Sequence, residues 1–381
     1  MRSWRPRIRG IAASPGRFAS YATAAVLVVL FGWVIPALGL WPSAGLPLAE
    51  RDLREARVVQ VIEQTTTTAV DGEIVVERVA LNLDGRRIEA DRVYVRGSAN
   101  GFELHEGDAI MVFVTRSSSG VSYQIADQSR RIPVWVLGAA FVAFVVIVGG
   151  RQGVLSLAGL LSTVIVIWQF ILPAILGGAS PLLICIVGAT VIMAVTLIVG
   201  HGGGRTSMVA LAATATCLVL AGLLASWAVA FATLTGAASE ESATLLRLTG
   251  GAIDMRGLLL GAMIIGAVGV LDDVTTTQAS TVFQLHDADR TLSRYELFRR
   301  AMRVGRDHIA ATTNTLLLAY AGAALPLLLL LAAQNLSIGV VSFETFTTEV
   351  VRTVVGSMAI VAAVPVASAV ATLVVRPEDA P

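Results

Sequence analysis

The amino-acid sequence predicts a mainly α-helical fold: a bundle of about eight transmembrane helices, with a small extracytoplasmic β domain between the first and second spans. Of the 381 residues, 55% are hydrophobic and only 14% are charged, a balance outside the range of soluble domains. Apolar stretches of about 20 residues, the length that crosses a bilayer, recur along the chain, and one polar segment, residues 43–131, interrupts them. The basic side chains are arginines with no lysine, which is typical of a GC-rich bacterial genome. We therefore expect a protein of the bacterial inner membrane.

The N-terminus carries the first topology signal. Residues 1–17 contain five arginines and no acid, and the apolar segment 18–41 follows directly. Because arginine-rich flanks stay in the cytoplasm, we predict a cytoplasmic N-terminus followed by a retained transmembrane anchor. A cleaved signal peptide is the alternative, since Pro42-Ser43-Ala44-Gly45 resembles a weak cleavage site.

Residues 43–131 have the pattern of a β domain. β-branched residues in partial two-residue alternation mark five segments, which are 56–63, 73–83, 87–95, 108–116 and 121–127. Turn signals separate these segments. Five short strands in about 80 residues predict an OB-like barrel or a β-sandwich. Because the domain follows a helix that starts inside, it should face the outside of the cell.

Seven further spans are expected in the bundle, residues 132–375, on the same criterion of length. They are placed at 132–149, 153–177, 180–199, 207–235, 257–282, 309–333 and 347–375. Alternation from an inside start puts the C-terminal tail, 376–381, in the cytoplasm with the N-terminus. The arginines agree with this topology, because six of them lie between Arg290 and Arg306 in one predicted inner loop.

That inner segment, 286–308, is amphipathic at helical spacing. Its arginines lie mostly on one face, and the apolar residues on or near the other are Leu292, Tyr295, Phe298, Met302 and Ile309. We predict that the segment lies along the inner membrane surface. An ordinary basic connector that only fixes the topology is the alternative.

Two adjacent acids, Asp272 and Asp273, follow fifteen uncharged residues and point to chemistry. Carboxylates inside a bilayer are costly, and they mark ion or proton pathways. Adjacent buried acids repel each other, which favours proton uptake by one of them near neutral pH. If the helix continues, Thr276 and Ser280 extend the same face by one and two turns. The alternative is that the span stops at Leu271 and that Asp273 caps a short surface helix.

The next span supplies predicted partners for these acids. It opens with RDHIAATTNT, residues 306–315, so a cation and several hydrogen-bonding side chains enter the membrane from the same side as the Asp pair. Arg306 is suited to neutralise a carboxylate, and Thr313 and Asn314 are suited to donate hydrogen bonds to one. Asp272 and Asp273 are therefore the candidate ion or proton-relay residues.

Motifs of soluble enzymes do not occur: the sequence has no Walker loop, HExxH, GxSxG or dinucleotide fingerprint. Cys185 and Cys217 lie inside apolar runs, and His286, Asp287 and Asp289 have no further ligand nearby in sequence. We predict no catalytic residues, no cofactor, no metal site and no nucleic-acid partner.

The chain resembles the YibE/F family of bacterial multi-spanning membrane proteins. The resemblance rests on GAVGVLDDVTTTQAS, 266–280, and GRDHIAATTNTLLLAYAGAALPLLLL, 305–330, together with the plan of one helix, a small β domain and a helical bundle. It covers most of the chain from about residue 50 onward. Where the family motif has one Asp, this chain has two. Membership implies a membrane location and a permease-like architecture.

A local resemblance to the core helices of RND transporters and of SecD/SecF concerns mechanism. An Asp pair late in a descending apolar helix, an amphipathic connector, and a rising helix that ends in Leu-Pro-Leu are similar to that arrangement. The resemblance implies that an acid in the membrane relays protons to an external domain. Those proteins place a Lys opposite the acid, whereas here Arg306 or Asn314 would serve.

These patterns predict a proton-coupled transporter or export accessory of unknown substrate, without enzymatic activity. Its expected partners are the lipid bilayer and either a second copy of the chain or an envelope protein. The alternative function is a non-transporting membrane scaffold or sensor whose external β domain binds an envelope partner.

Overall fold

The computed structural model describes residues 23–31, 51–69, 72–97, 102–117, 120–333 and 343–375. The chain divides into two compact units, residues 47–147 and the remainder. The predicted N-terminal segment 1–17 and tail 376–381 lie outside the described residues. So does most of the predicted anchor 18–41, of which residues 23–31 are described and are helical.

Five strands of the first unit form a closed barrel in the order β1-β2-β3-β5-β4. The strands are β1 (Arg51–Ala69), β2 (Gly72–Leu83), β3 (Arg86–Val95), β4 (Ala109–Ser117) and β5 (Gly120–Gln128). All pairs are antiparallel except β3 with β5. The prediction of a barrel is confirmed, and the sandwich alternative is wrong.

Strand β1 is much longer than the predicted segment 56–63, because it pairs on both of its edges. Its first part pairs with β4, from Arg51 opposite Thr115, and its second part pairs with β2, as far as Ala69 opposite Gly72. Two register shifts interrupt the second pairing. Such bulges bend a strand and increase its twist, which allows one strand to close the barrel.

A buried ion pair, Arg92 with Glu77, lies in the barrel. The Arg92 Nη1 atom donates to Glu77 at 3.2 Å, and Nη2 donates to the Phe102 carbonyl at 2.8 Å. The Tyr94 hydroxyl donates to the second Glu77 oxygen at 2.8 Å, and the guanidinium lies over the Tyr94 and Phe102 rings. Burial lowers the pKa of Arg92, and burial and the bond to Glu77 raise the pKa of Tyr94. These contacts satisfy the charges that the barrel takes out of water.

The helices account for most of the remaining described residues. They are α1 (Arg131–Val166), α2 (Leu172–Leu176), α3 (Pro181–His201), α4 (Arg205–Phe231), α5 (Glu240–Leu248), α6 (Met255–Ala288), α7 (Arg294–Ala323), α8 (Leu325–Ala333) and α9 (Glu344–Val374). A π-helical turn, Ile167–Ile171, joins α1 to α2. The short helix α5 was not predicted, because its residues read as part of an outer loop.

Within the described ranges, five helices are long and apolar enough to cross a membrane, or six if the bent pair α7 and α8 is one span. The predicted count of about eight is therefore not confirmed. The predicted spans 132–149 and 153–177 fall in one helical stretch of 46 residues. Gly150 breaks this stretch, because its backbone is not helical (φ 53°, ψ −133°). The predicted span 309–333 bends by 61° between α7 and α8.

The amphipathic segment 286–308 divides between the end of α6 and the start of α7. Ser293 begins α7 with a capping box, in which its hydroxyl accepts from the Glu296 amide and Glu296 accepts from the Ser293 amide. The side that packs inside is the row Leu297, Ala301 and Gly305. Tyr295, which was assigned to the apolar face, is 72% exposed, so the buried side of the helix is rotated from the predicted one.

The substitution Arg92→Met should destabilise the barrel by about 3–5 kcal/mol, because it leaves the Glu77 carboxylate buried without its cation. Hydrogen exchange at the amides of β2 and β3 in the full-length protein measures the effect. The matched control is Arg78→Met, since the Arg78–Asp91 pair is half exposed on both sides and its loss should leave the exchange rates close to those of the wild type. Equal exchange in the two variants would contradict the role assigned to Arg92.

Candidate functional site

The Asp pair lies at the middle of α6, the helix that packs against α3, α4, α7 and α9. Seventeen residues, 255–271, precede Asp272 in this helix, and fifteen, 274–288, follow Asp273. The acids are therefore about 25 Å from one end of the helix and about 22 Å from the other. The helix runs through both acids without a break, so Asp273 does not cap a separate surface helix.

The threonine run after the acids continues the helix, because its hydroxyls hydrogen-bond within the helix. Thr275 donates to the Leu271 carbonyl at 2.8 Å, and Thr281 donates to the Thr277 carbonyl at 2.9 Å. A threonine that bonds one turn back satisfies its hydroxyl without breaking the helix. The polar composition that suggested an end to the span is thus compatible with a membrane helix.

The two acids have different surroundings. Asp272 is half-buried, and the Thr276 hydroxyl donates to its Oδ1 atom at 3.3 Å. Asp273 is exposed on the bundle surface, in a row with Gly266, Gly269 and Thr277. Successive residues of a helix point about 100° apart, so only the first acid is directed toward the neighbouring helices. Asp272 is the better placed of the two for a relay within the bundle.

A second polar cluster lies on the buried face of α6, beyond the acids. Thr275 and Thr214 of α4 place their hydroxyls 2.7 Å apart. One turn further, the Gln278 amide donates to the Ala301 carbonyl of α7 and to the Ser368 hydroxyl of α9, both at 2.8 Å. These side chains are buried, and they connect four helices by hydrogen bonds. Sequence reasoning missed Gln278, although an amide three residues after Thr275 in an apolar span was a usable signal.

Glycine at position 305 allows α7 to approach this cluster. A Cβ atom there would lie 2.9 Å from the Gln278 Oε1 atom and would overlap the Val364 side chain of α9. Any other residue would therefore separate α7 from Gln278. Small residues allow membrane helices to pack at short distances, and here the short distance also permits a hydrogen bond.

The predicted partners of the Asp pair lie at two different positions along the axis of α7. Gln278 contacts Ala301, and α6 and α7 form a helical hairpin, so Arg306 is close to the level of Asp272. Arg306 and Asn314 are both exposed, whereas Thr313 is half-buried. Within the described residues, the Thr313 hydroxyl is buried without a hydrogen-bond partner. Asn314 lies about 12 Å further along the helix than Arg306.

The remaining predicted support, Ser280, is half-buried two turns beyond Asp272. The carboxylates of the acids can take up and release a proton, and the carboxylate and hydroxyl oxygens are of the kind that hold a small cation. Across the described parts of the chain, no group of three or more His, Cys, Asp or Glu is arranged to hold a metal ion.

Gln278→Leu should destabilise the bundle by about 1–3 kcal/mol, because it leaves the Ala301 carbonyl and the Ser368 hydroxyl with fewer partners in an apolar interior. Thermal unfolding of the purified protein in detergent measures the change. Thr277→Val, at the exposed neighbouring position, is the control and should leave the unfolding temperature within about 1 °C. An unchanged unfolding temperature for Gln278→Leu would contradict the importance of the cluster.

Comparison with known proteins agrees with the resemblance in the sequence. The model of the YibE/F-like protein family matches residues 137–377, which include the Asp pair, Gln278 and all the helices from α3 to α9. No curated protein and no solved structure matches the chain. The resemblance to RND and SecD/SecF proteins is not shown by these comparisons. The chain is a membrane protein that belongs to the YibE/F-like family.

Proposed function

We propose that this protein couples proton movement to the transport or export of a solute across the bacterial cell membrane, with Asp272 as the proton-binding group. The position of Asp272 carries the proposal: it is half-buried at the middle of the central helix, about 22–25 Å from either helix end. Ionisable side chains half-buried among apolar membrane helices are rare, and they mark ion or proton pathways. Asp273 is the second acid of the relay, and no enzymatic activity is assigned.

The polar cluster supports this proposal, since it gives the acids neighbours that tolerate a change of charge. Thr276 contacts Asp272, and Thr275 and Gln278 follow on the adjacent buried face of α6. The hydroxyls can reorient to donate to a carboxylate or to accept from a carboxylic acid. Protonation of Asp272 can thus be accommodated without a large rearrangement.

The proposed topology has eight spans with both termini in the cytoplasm. The helical stretch Arg131–Leu176 is 46 residues long, about 69 Å, which is more than twice a bilayer core of about 30 Å. Its break at Gly150 divides it into two spans. With the predicted anchor 18–41 and the bent pair counted once, the total is eight, and the barrel faces outside.

The rival function is a membrane scaffold or sensor in which the barrel binds an envelope partner. The exposure of Asp273 and Asn314 favours this alternative, because side chains that face outward do not form a relay within one copy. The half-buried Asp272 with its Thr276 contact favours the relay. Proton flux distinguishes the two functions.

Asp272→Asn should lower proton flux into proteoliposomes under an imposed pH gradient by about 100-fold, the usual contribution of a positioned acid or base. Asp273→Asn should have a smaller effect, because this side chain is directed away from the neighbouring helices. A pH-sensitive dye enclosed in the vesicles reports the flux.

The matched control for these variants is Asp287→Asn, an exposed acid in the last turn of the same helix, which should retain wild-type flux. Full flux in the Asp272→Asn/Asp273→Asn double variant would exclude the relay. Absence of flux in the wild type would favour the scaffold.

The topology is tested by single cysteines introduced at Thr67, in the exposed part of β1, and at Arg300, in the predicted inner segment. Cys185 and Cys217 are buried and should give little background. A membrane-impermeant maleimide should label Thr67→Cys in intact spheroplasts, and Arg300→Cys only after permeabilisation. Labelling of both sites in intact spheroplasts, or the reverse order, would refute the proposed orientation.

A further inference from the structure

A cavity of about 240 Å³ lies beside the start of α9, away from the Asp pair. The walls come from α5, α6, α9 and the loop before α5, and the polar side chains among the lining residues are Ser239, Ser242, Thr345, Thr348, Glu349 and Arg352. Ala262 is the lining residue of α6 nearest to Asp272, and it precedes this acid by about 15 Å along the helix.

Glu344 fixes the loop that forms one wall of the cavity. Its carboxylate accepts hydrogen bonds from the Thr235 amide at 2.5 Å and from the Gly236 amide at 3.0 Å. Gly236 has a left-handed backbone (φ 78°), and a Cβ atom there would overlap the Met255 carbonyl. The wall is therefore held in one position by charge and by backbone geometry.

Arg352 lines this cavity, and its pairing with Glu349 uses only one nitrogen of the guanidinium. Its Nη1 atom donates to both oxygens of Glu349, at 3.0 and 3.2 Å, and its Cζ atom lies 6.0 Å from the centre of the Tyr320 ring. Within the part of the chain that the structure describes, the Arg352 Nε atom and the Thr348 hydroxyl are buried and have no hydrogen-bond partner. Buried polar groups are normally satisfied, so a ligand that enters the cavity and reaches past the cover of these two atoms would supply the hydrogen bonds they lack.

We propose that this cavity binds a zwitterion, with an oxyanion on the Arg352 Nε edge and the Thr348 hydroxyl, and an ammonium group beside Glu349. The edge of a guanidinium donates two parallel hydrogen bonds to a carboxylate or a phosphate. Arg352 and Glu349 already balance each other in charge, and only about a quarter of each side chain is exposed, so a ligand with a net charge would leave an uncompensated charge in a partly buried site. A zwitterion adds no net charge.

Two sources supply this chemistry: a free solute, such as an amino acid, and the headgroup of a phosphatidylethanolamine lipid. Glu349 also lines a second cavity of about 240 Å³, whose other walls are almost wholly apolar and come from the α7–α8 bend and from α9. That cavity offers space for an acyl chain next to the charged pair. The site is separate from the Asp pair, and the proposal does not depend on proton coupling.

Isothermal titration calorimetry of the full-length protein in detergent tests the free source, with glycine and phosphoethanolamine as zwitterions and with acetate and inorganic phosphate as anions. At least one zwitterion should bind, and the anions should bind at least tenfold more weakly. Native mass spectrometry tests the lipid source, by comparing the retention of phosphatidylethanolamine and phosphatidylglycerol. Selective retention of phosphatidylethanolamine would identify a lipid headgroup as the ligand. Binding of a free zwitterion without such retention would identify a free solute as the ligand.

Arg352→Gln should weaken the binding of the zwitterion or lipid more than tenfold, and Thr348→Val should weaken it about tenfold, as expected for a hydrogen bond to a charged group. Thr348→Val keeps the Arg352–Glu349 pair, so it separates ligand binding from folding. Arg247→Gln is the control, because Arg247 is exposed on α5 and does not line the cavity. Equal binding of anions and zwitterions, no binding of any probe by the wild type, or undiminished binding by both site variants would each overturn the proposal.

Discussion

The bundle depends on one constraint: the buried polar groups of α6 must find partners inside the protein, because the apolar side chains around them offer none. Gln278 meets this constraint by binding a backbone carbonyl of α7 and a hydroxyl of α9. Thr275 meets it against α4. Close packing of small residues also holds these helices together, as at Gly305. Gln278 and Thr275 thus connect α6 to three helices at defined points along its length.

In the barrel, the buried polar groups that need partners are charged. Arg92 and Glu77 are buried together, and a tyrosine hydroxyl and a backbone carbonyl complete their hydrogen bonds. Breaking such a pair is more costly than the pair is stabilising, because one charge then stays buried alone. The two units thus share a principle although their folds differ: each has a small set of polar contacts that allows a single arrangement of its apolar residues.

Much of this architecture could be predicted from the sequence, and the misses have physical causes. Alternation and turn residues indicated five strands, but the extension of β1 depended on pairing with β4, which is distant in sequence. Apolar length located the helices, yet it ended the span of α6 at residue 282, whereas the helix continues through polar residues to Ala288. Asp272 was identified because the acidic pair follows fifteen uncharged residues. Gln278 and Arg352 were not, since their importance comes from partners on other helices and in a cavity that only the fold assembles.

The length of α6 has a mechanical consequence. Its 34 residues form a rod of about 51 Å, well beyond a hydrocarbon core of about 30 Å. The Asp pair lies at its midpoint, where a pivot would lie. A tilt of about 10° around that point would displace Ala288 by about 4 Å, and the capped turn into α7 would transmit the displacement to the arginine-rich segment. A small tilt at the centre of so long a helix is therefore a displacement of several ångströms at its end.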